Sequence, residues 1–275
     1  VNLIFRIREK RIMSKARFLI LAVLLIILSA SSAYAQDGST PTPFPSLTPE
    51  PAPTLEPLTP ASPMPLVYMM TVTTTATDEK TLVGDLYLLD TARPTVLLLH
   101  QLYTDRHSWE PDVIPALLTA GYNALAVDVR GHGQTGGFVD WDKAIQDTQV
   151  WIDWLRANNL GAVVLMGSSM GSSLALVGCG NDPQCLGAIA ISPGWNYYEV
   201  NVKQTFAALL GARPVLIVYA DHDYWPSVGV PLMLEVATGD VQVVTYPGNA
   251  HGMDLFRSEE ALLLTIKEWL VMHVG

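Results

Sequence analysis

Five short apolar runs, each followed by turn residues and then a helical pattern, restrict this chain to a narrow set of folds. They are Thr95-Val96-Leu97-Leu98-Leu99, Ala124-Leu125-Ala126-Val127, Ala162-Val163-Val164-Leu165-Met166, Ala188-Ile189-Ala190-Ile191 and Val215-Leu216-Ile217-Val218-Tyr219. A strand without polar alternation is covered on both faces, as in the middle of a parallel sheet. Helical patterns cover Asp112–Ala120, Asp142–Ala157, Ser172–Val177, Val202–Leu210, Pro231–Ala237 and Glu259–Met272. Two leading strands, Val67–Thr75 and Leu82–Leu88, turn through Asp78-Glu79-Lys80, and Val241–Tyr246 supplies the last strand. This order predicts an α/β fold: a mostly parallel eight-stranded sheet, helices on both faces, and an antiparallel edge from the opening hairpin. In such sheets the chemistry collects beyond the carboxyl ends of the strands.

Beyond one of those ends stands Gly167-Ser168-Ser169-Met170-Gly171. Alone, G-x-S-x-G is a weak signal. Between a buried strand and a small-residue helix it is the setting of a nucleophile elbow, which lifts a serine hydroxyl above the sheet edge. A serine hydroxyl needs a base to take its proton, and that base needs an orienting carboxylate. His251 follows the last strand in Gly248-Asn249-Ala250-His251-Gly252, and Asp223 follows the strand ending at Tyr219. Ser169, Asp223 and His251 therefore stand in one of the chain orders known for a Ser-His-Asp triad. Asp221 competes with Asp223 for the acid role.

The other histidines carry structural readings: His100 braces its loop, His132 holds a turn, His107 edges a pocket and His273 is terminal. Trp109, Trp195 and Tyr197 stand in or near carboxyl-end loops, where they line a pocket or simply pack. Trp141, Trp151 and Trp154 have helical spacing and read as core. No His/Cys spacing completes a metal site and no H-E-x-x-H is present, so neither metal nor cofactor is expected.

Four blocks together make residues 66–275 resemble the α/β-hydrolase superfamily, in particular small capless serine hydrolases of the dienelactone-hydrolase-like or esterase type. They are Leu99-His100-Gln101-Leu102, Asp128-Val129-Arg130-Gly131-His132-Gly133, the elbow, and the Asp223 and His251 regions. The resemblance implies Ser169 as nucleophile, His251 as base and Asp223 as acid. It also implies an oxyanion hole from the backbone N–H groups of Met170 and Leu102. Three departures stand out: Gln101 replaces a usual glycine, Ala220 stands where a glycine often follows the acid strand, and dienelactone hydrolases proper have cysteine at the elbow. Only about twenty residues separate Pro193 from Pro214, where many relatives insert a cap, so a shallow, open site is expected. Such a site admits bulky or polymer-linked esters and grips a long acyl chain weakly.

Residues 1–35 have the layout of a secretory signal peptide. Arg6, Arg8, Lys10, Arg11, Lys15 and Arg17 precede an apolar run, Phe18–Leu28, and Ala33-Tyr34-Ala35 ends it, with cleavage expected before Gln36. Met13 is a candidate start. An uncleaved membrane anchor is the alternative, although the run falls short of the ~20 apolar residues of a spanning helix. Residues 36–65 form a Pro/Thr/Ser-rich tract that cannot bury enough apolar surface to order itself. The expectation is a secreted or cell-surface protein with one catalytic domain, 66–275.

Loss of six basic residues and Glu9 with the leader takes the formal charge from −10 to −15. So acidic a surface repels nucleic acid, which is excluded as a partner. Cys179 and Cys185 flank a turn sequence and in an exported chain are expected to bridge. The function expected is hydrolysis of small-molecule or polymer-linked carboxylic esters through an acyl-enzyme. A peptidase, thioesterase or perhydrolase would use the same triad, and a non-catalytic surface-binding module is the reading from another class.

Overall fold

The computed structural model describes residues 67–275 apart from 199, 209 and 212; the expected leader and the Pro/Thr/Ser tract lie outside the described residues. Eight strands form one sheet: β1 (Tyr68–Thr75), β2 (Thr81–Leu88), β3 (Thr95–Leu99), β4 (Asn123–Val127), β5 (Val163–Ser168), β6 (Ala188–Ile191), β7 (Val215–Ala220) and β8 (Val241–Tyr246). Their spatial order is β1-β2-β4-β3-β5-β6-β7-β8. β1 pairs antiparallel with β2, and β2 with β4; every other pairing is parallel.

The period of two along each central strand divides the core into two layers. Leu97, Leu125, Leu165, Ala190 and Ile217 face one cluster, while Leu98, Ala126, Met166, Ile189 and Leu216 face the other. The first cluster is covered by α2 (Trp141–Ala157), α3 (Met170–Asn181), α4 (Val202–Ala208) and α5 (Tyr224–Leu234). α1 (Val113–Thr119) and α7 (Leu262–His273), with the short α6 (Leu255–Ser258), cover the second. Eleven of the twelve residues of α3 are buried. This helix therefore has no polar face, and apolar or small residues surround its whole circumference.

Three helix boundaries differ from expectation. α3 runs to Asn181, because the glycines at 178 and 180 do not stop a helix wedged between neighbours. α5 starts at Tyr224 rather than Pro231. Asp223 is its N-cap position and Pro226 falls in the first turn, where the missing N–H has no intrahelical partner to lose. The last predicted helix starts at Leu262 rather than Glu259, since Glu259 takes an extended backbone after the short α6, which was not expected. Cys179 and Cys185 are disulfide-bonded, tying the end of α3 to the turn that enters β6. By chain entropy alone, so small a loop contributes about 2 kcal/mol.

The Asp128–Gly133 block is a structural knot. Asp128 accepts the Arg106 N–H at 3.0 Å, the Arg106 guanidinium at 2.5 Å and the Gln134 N–H at 2.6 Å. Arg106 also bonds Asp85 at 2.5 Å, so the buried guanidinium has two carboxylate partners. Arg130 spans Asp147 and Asp78, at 2.8 and 2.9 Å. These bonds fix the loops after β3 and β4 to one another, beneath the edge that carries the candidate chemistry.

Candidate active site

The strand order reverses direction at β3: the chain leaves it on one side for β4, then returns past it to β5. The loops after β3 and β5 therefore diverge and leave a crevice, where a ligand finds room at the edge of an open sheet. β5 ends in the elbow. Ser169 takes φ 51° and ψ −115°, a left-handed backbone rarely adopted by a residue with a side chain. Strain of this kind persists only where the surroundings hold it. Here the Ser169 N–H donates to the Ile191 carbonyl at 2.8 Å, and its own carbonyl accepts the Ser172 N–H at 3.0 Å.

The Ser169 hydroxyl makes no cap bond to its own helix and donates instead to His251 Nε2 at 2.7 Å. On its other side the imidazole donates from Nδ1 to Asp223 Oδ2 at 2.6 Å. An ionised carboxylate only accepts, so the Nδ1 proton is fixed and the Nε2 lone pair faces the hydroxyl. Asp223 is 6% exposed and caps no N–H of α5 with its side chain, although it stands at that helix's start. The positive end of the helix favours a carboxylate there.

Asp221 lies elsewhere. Its Oδ1 accepts the Gly248 N–H at 2.9 Å, and its N–H donates to the Tyr246 carbonyl at 2.8 Å. The structure brings Asp223 to the imidazole and leaves Asp221 lacing the loop after β7 to the loop after β8.

The turn after β3 orients one peptide with care. The Gln101 carbonyl accepts from His100 Nδ1 and Thr104 Oγ1, each at 2.8 Å, and from the Thr104 N–H at 3.3 Å. In a trans peptide the next N–H points opposite to that carbonyl. The Leu102 N–H is thereby turned away from the cluster, and Leu102 lines the cleft beside Ser169. Met170 opens α3, so its N–H belongs to the first turn, which has no intrahelical acceptor.

His100 is fully buried, and its Nε2 accepts the Val129 N–H at 3.0 Å. Burial holds its pKa down at about 4. A base whose folded pKa lies below its unfolded value of about 6.5 leaves stability intact above pH 6.5. Stability is then lost as pH falls toward 4, where the unfolded chain binds a proton that the folded one refuses. Over that window His100 should cost about 3 kcal/mol. Urea unfolding at pH 7, 5.5 and 4 should show this slope flattened in His100→Gln; an unchanged slope would reject the assignment.

Gln101 is a site residue whose part sequence reasoning missed. Its Oε1 accepts the Met253 N–H at 2.9 Å and the Ser168 hydroxyl at 3.3 Å. One amide thus joins the turn after β3, the residue before Ser169 and the loop that carries His251. Ser192, at the end of β6, adds a bond from the Gly252 N–H to its Oγ at 2.9 Å.

A cleft of about 410 Å³ opens over Ser169 and His251, lined also by Leu102, Trp195, Tyr197, Tyr198 and Trp225. The 193–214 segment is too short for a cap, yet its aromatic residues and Trp225 of α5 raise a wall. The weak apolar grip expected from its length is corrected accordingly. Burial pushes the Tyr197 phenol up to about 12, so it stays neutral. His107 is no part of this cleft; its Nδ1 donates to Asp105 at 3.1 Å, and Nε2 stands 3.6 Å from Asp85. Trp109 is packed in the core, while Trp195 and Tyr197 line the cleft. Trp151 is core as expected, whereas Trp141 lies flat against Tyr198.

Among the described residues, only Asp85, His107 and Glu110 converge closely enough to hold a cation. The Arg106 guanidinium already occupies the Asp85 oxygen they would offer, and its charge opposes a cation there.

A family model described as alpha/beta hydrolase fold matches residues 94–212. No curated protein matches the chain. Among solved structures, the Pyrococcus furiosus esterase Pf2001 superimposes with a TM-score of 0.65 at 21% identity, covering 76% of this chain and 92% of its own. The esterase domain from a Rhodothermus marinus protein gives 0.63 at 17%, with 76% and 100% covered. Dienelactone hydrolase from Anabaena variabilis gives 0.64 at 19%, with 76% and 99% covered.

Proposed function

The chain is an α/β-hydrolase-fold protein, and from that premise we propose that it hydrolyses carboxylic esters through an acyl-enzyme on Ser169. The observation that carries the reading is the unbroken relay from Asp223 through His251 to Ser169, at 2.6 and 2.7 Å. Ser169 Oγ attacks the ester carbonyl as His251 Nε2 takes its proton, and Asp223 stabilises the imidazolium. The tetrahedral oxyanion is held by the Met170 and Leu102 N–H groups, a term of about 3 kcal/mol per donor in comparable sites. Collapse expels the alcohol, which leaves with the proton from Nε2. Water then attacks the acyl-enzyme by the same route and releases the acid.

Hydrolysis of small esters by the purified chain, together with stoichiometric uptake of a fluorophosphonate at Ser169 read by peptide mass spectrometry, is the test. A folded chain that does neither would be a binding module instead. Peptide amides and thioesters assayed beside the esters separate the other hydrolases that share this relay.

The acid assignment has its own check. Asp223→Asn loses the fixed acceptor for Nδ1–H, and kcat should fall about 10⁴-fold. Asp221→Asn should lower it less than tenfold, since that carboxylate bonds a backbone N–H and not the imidazole. Equal losses in the two variants would overturn the division of roles.

We further propose export to the cell surface or medium. The basic, apolar and Ala33-Tyr34-Ala35 layout supports it, as does the Cys179–Cys185 bridge, which suits an oxidising compartment. Mass spectrometry of the mature protein should find Gln36 as the first residue; a retained leader in the membrane fraction would favour the anchor.

A further inference from the structure

We propose that the cleft selects esters bearing an uncharged flat ring and rejects esters bearing a second, ionised carboxylate. This rests on the ester-hydrolase reading and adds its substrate class. Trp195, Tyr197, Tyr198 and Trp225 are four of the ten described residues that line the cleft, and none of those ten is Asp, Glu, Lys or Arg. A cavity of ~150 Å³ holds one benzene. About 410 Å³ therefore leaves room for a ring, a short linker and the reacting ester group.

The rings are placed before any ligand arrives. Tyr198 lies flat on Trp141, with centroids 5.5 Å apart and planes 8° apart, and Tyr197 meets the same indole edge-on at 4.9 Å. Tyr197 and Val200 exchange both backbone bonds, at 3.1 and 2.9 Å, which holds these two residues together. Trp225 packs edge-on against Tyr224 at 5.1 Å. Trp195 sits so close to α5 that a Cβ on Gly229 would lie 3.0 Å from its backbone nitrogen. Yet Tyr198 and Trp225 remain 69% and 64% exposed. Large aromatic faces packed against ring neighbours but left uncovered beside the Ser169 hydroxyl suit a ligand that stacks.

Charge disfavours one alternative and ring geometry the other. A substrate carboxylate would enter without a cation to pair with, losing hydration for nothing. The chain's formal charge of −10 opposes it before contact. A puckered or linear aliphatic arm gains the apolar contact and forgoes ring-on-ring geometry.

Three methyl esters of equal intrinsic reactivity separate these cases: methyl 3-phenylpropanoate, methyl 3-cyclohexylpropanoate and methyl 3-(4-carboxyphenyl)propanoate. Each would be followed by pH-stat at pH 7.5. The phenyl ester should exceed the cyclohexyl ester about fivefold in kcat/KM, and the carboxyphenyl ester at least about tenfold. In Trp225→Ala and Tyr198→Ala, checked for folding by circular dichroism, the phenyl-to-cyclohexyl ratio should move toward one. A ratio already near one in the parent protein, or unmoved by both variants, overturns the ring selectivity. So does an ester with a trimethylammonium group in place of the ring, if it outruns the phenyl ester. A chain that is labelled at Ser169 but indifferent to the series keeps the hydrolase reading and loses only this one. A chain neither labelled nor active on any ester loses both.

Discussion

Ser169→Ala should lower kcat for ester hydrolysis at least about 10⁴-fold, with KM changed by no more than a few-fold. The hydroxyl is the only group in the cleft whose loss removes the covalent route. What remains is water activated by His251 over the same oxyanion donors, which elsewhere leaves a small residue of the rate. Its fold should not suffer. The hydroxyl makes no cap bond to α3. Alanine occupies φ 51° with strain comparable to serine's, so Tm should move by only a few degrees. Turnover near the parental value in a well-folded Ser169→Ala would remove Ser169 from the mechanism. Loss of activity together with a large fall in Tm would mean that the hydroxyl is structural.

Gly171→Ala should prevent the protein from accumulating in folded form, or lower its Tm by about 10 °C or more. A Cβ there would lie 2.0 Å from the Leu99 carbonyl oxygen, 2.5 Å from its carbon and 2.6 Å from the His100 oxygen. All three are backbone atoms in or beside a central strand, and none can turn aside as a side chain would. Relief requires α3 to leave β3, which uncovers the packed face between them. The cost falls among the rare losses above about 4 kcal/mol, equivalent at about 2–4 °C per kcal/mol to the stated fall in Tm. Gly167 faces the same helix from β5, where a Cβ would lie 2.0 Å from the Gly171 oxygen. Gly161→Ala is the control, because its nearest neighbour would be 3.5 Å away. Thermal unfolding followed by circular dichroism decides the matter: a Gly171→Ala protein with parental Tm would mean that the crossing is looser than described.

Legibility followed burial. The Thr95–Leu99, Ala188–Ile191 and Val241–Tyr246 strands match their observed bounds, and β4, β5 and β7 differ by a residue or two. Continuous apolar runs have few alternatives once both faces are covered. Helix ends were harder to place, because α5 begins at an N-cap aspartate whose side chain is committed to His251 instead of the helix. Ser169, Asp223 and His251 were legible because each stands within a few residues of a strand's carboxyl end, so the topology puts them at one edge. Gln101 and Ser192 were not. Their contacts depend on how loops fold across one another, and a polar side chain in a loop carries no period to read. Half of the aromatic wall escaped for a related reason: Tyr198 and Trp225 come from segments separated along the chain, and only their packed geometry shows that they face one space.

The direction of β1 decides which way the molecule presents itself. It runs antiparallel to β2, which runs antiparallel to β4, so it points the same way as the parallel strands. Its first residue, Tyr68, is therefore at the pole opposite the one where Ser169 opens. A bead or fusion partner attached directly at Tyr68 therefore sits at the pole away from Ser169 and leaves the mouth of the cleft open to bulky material.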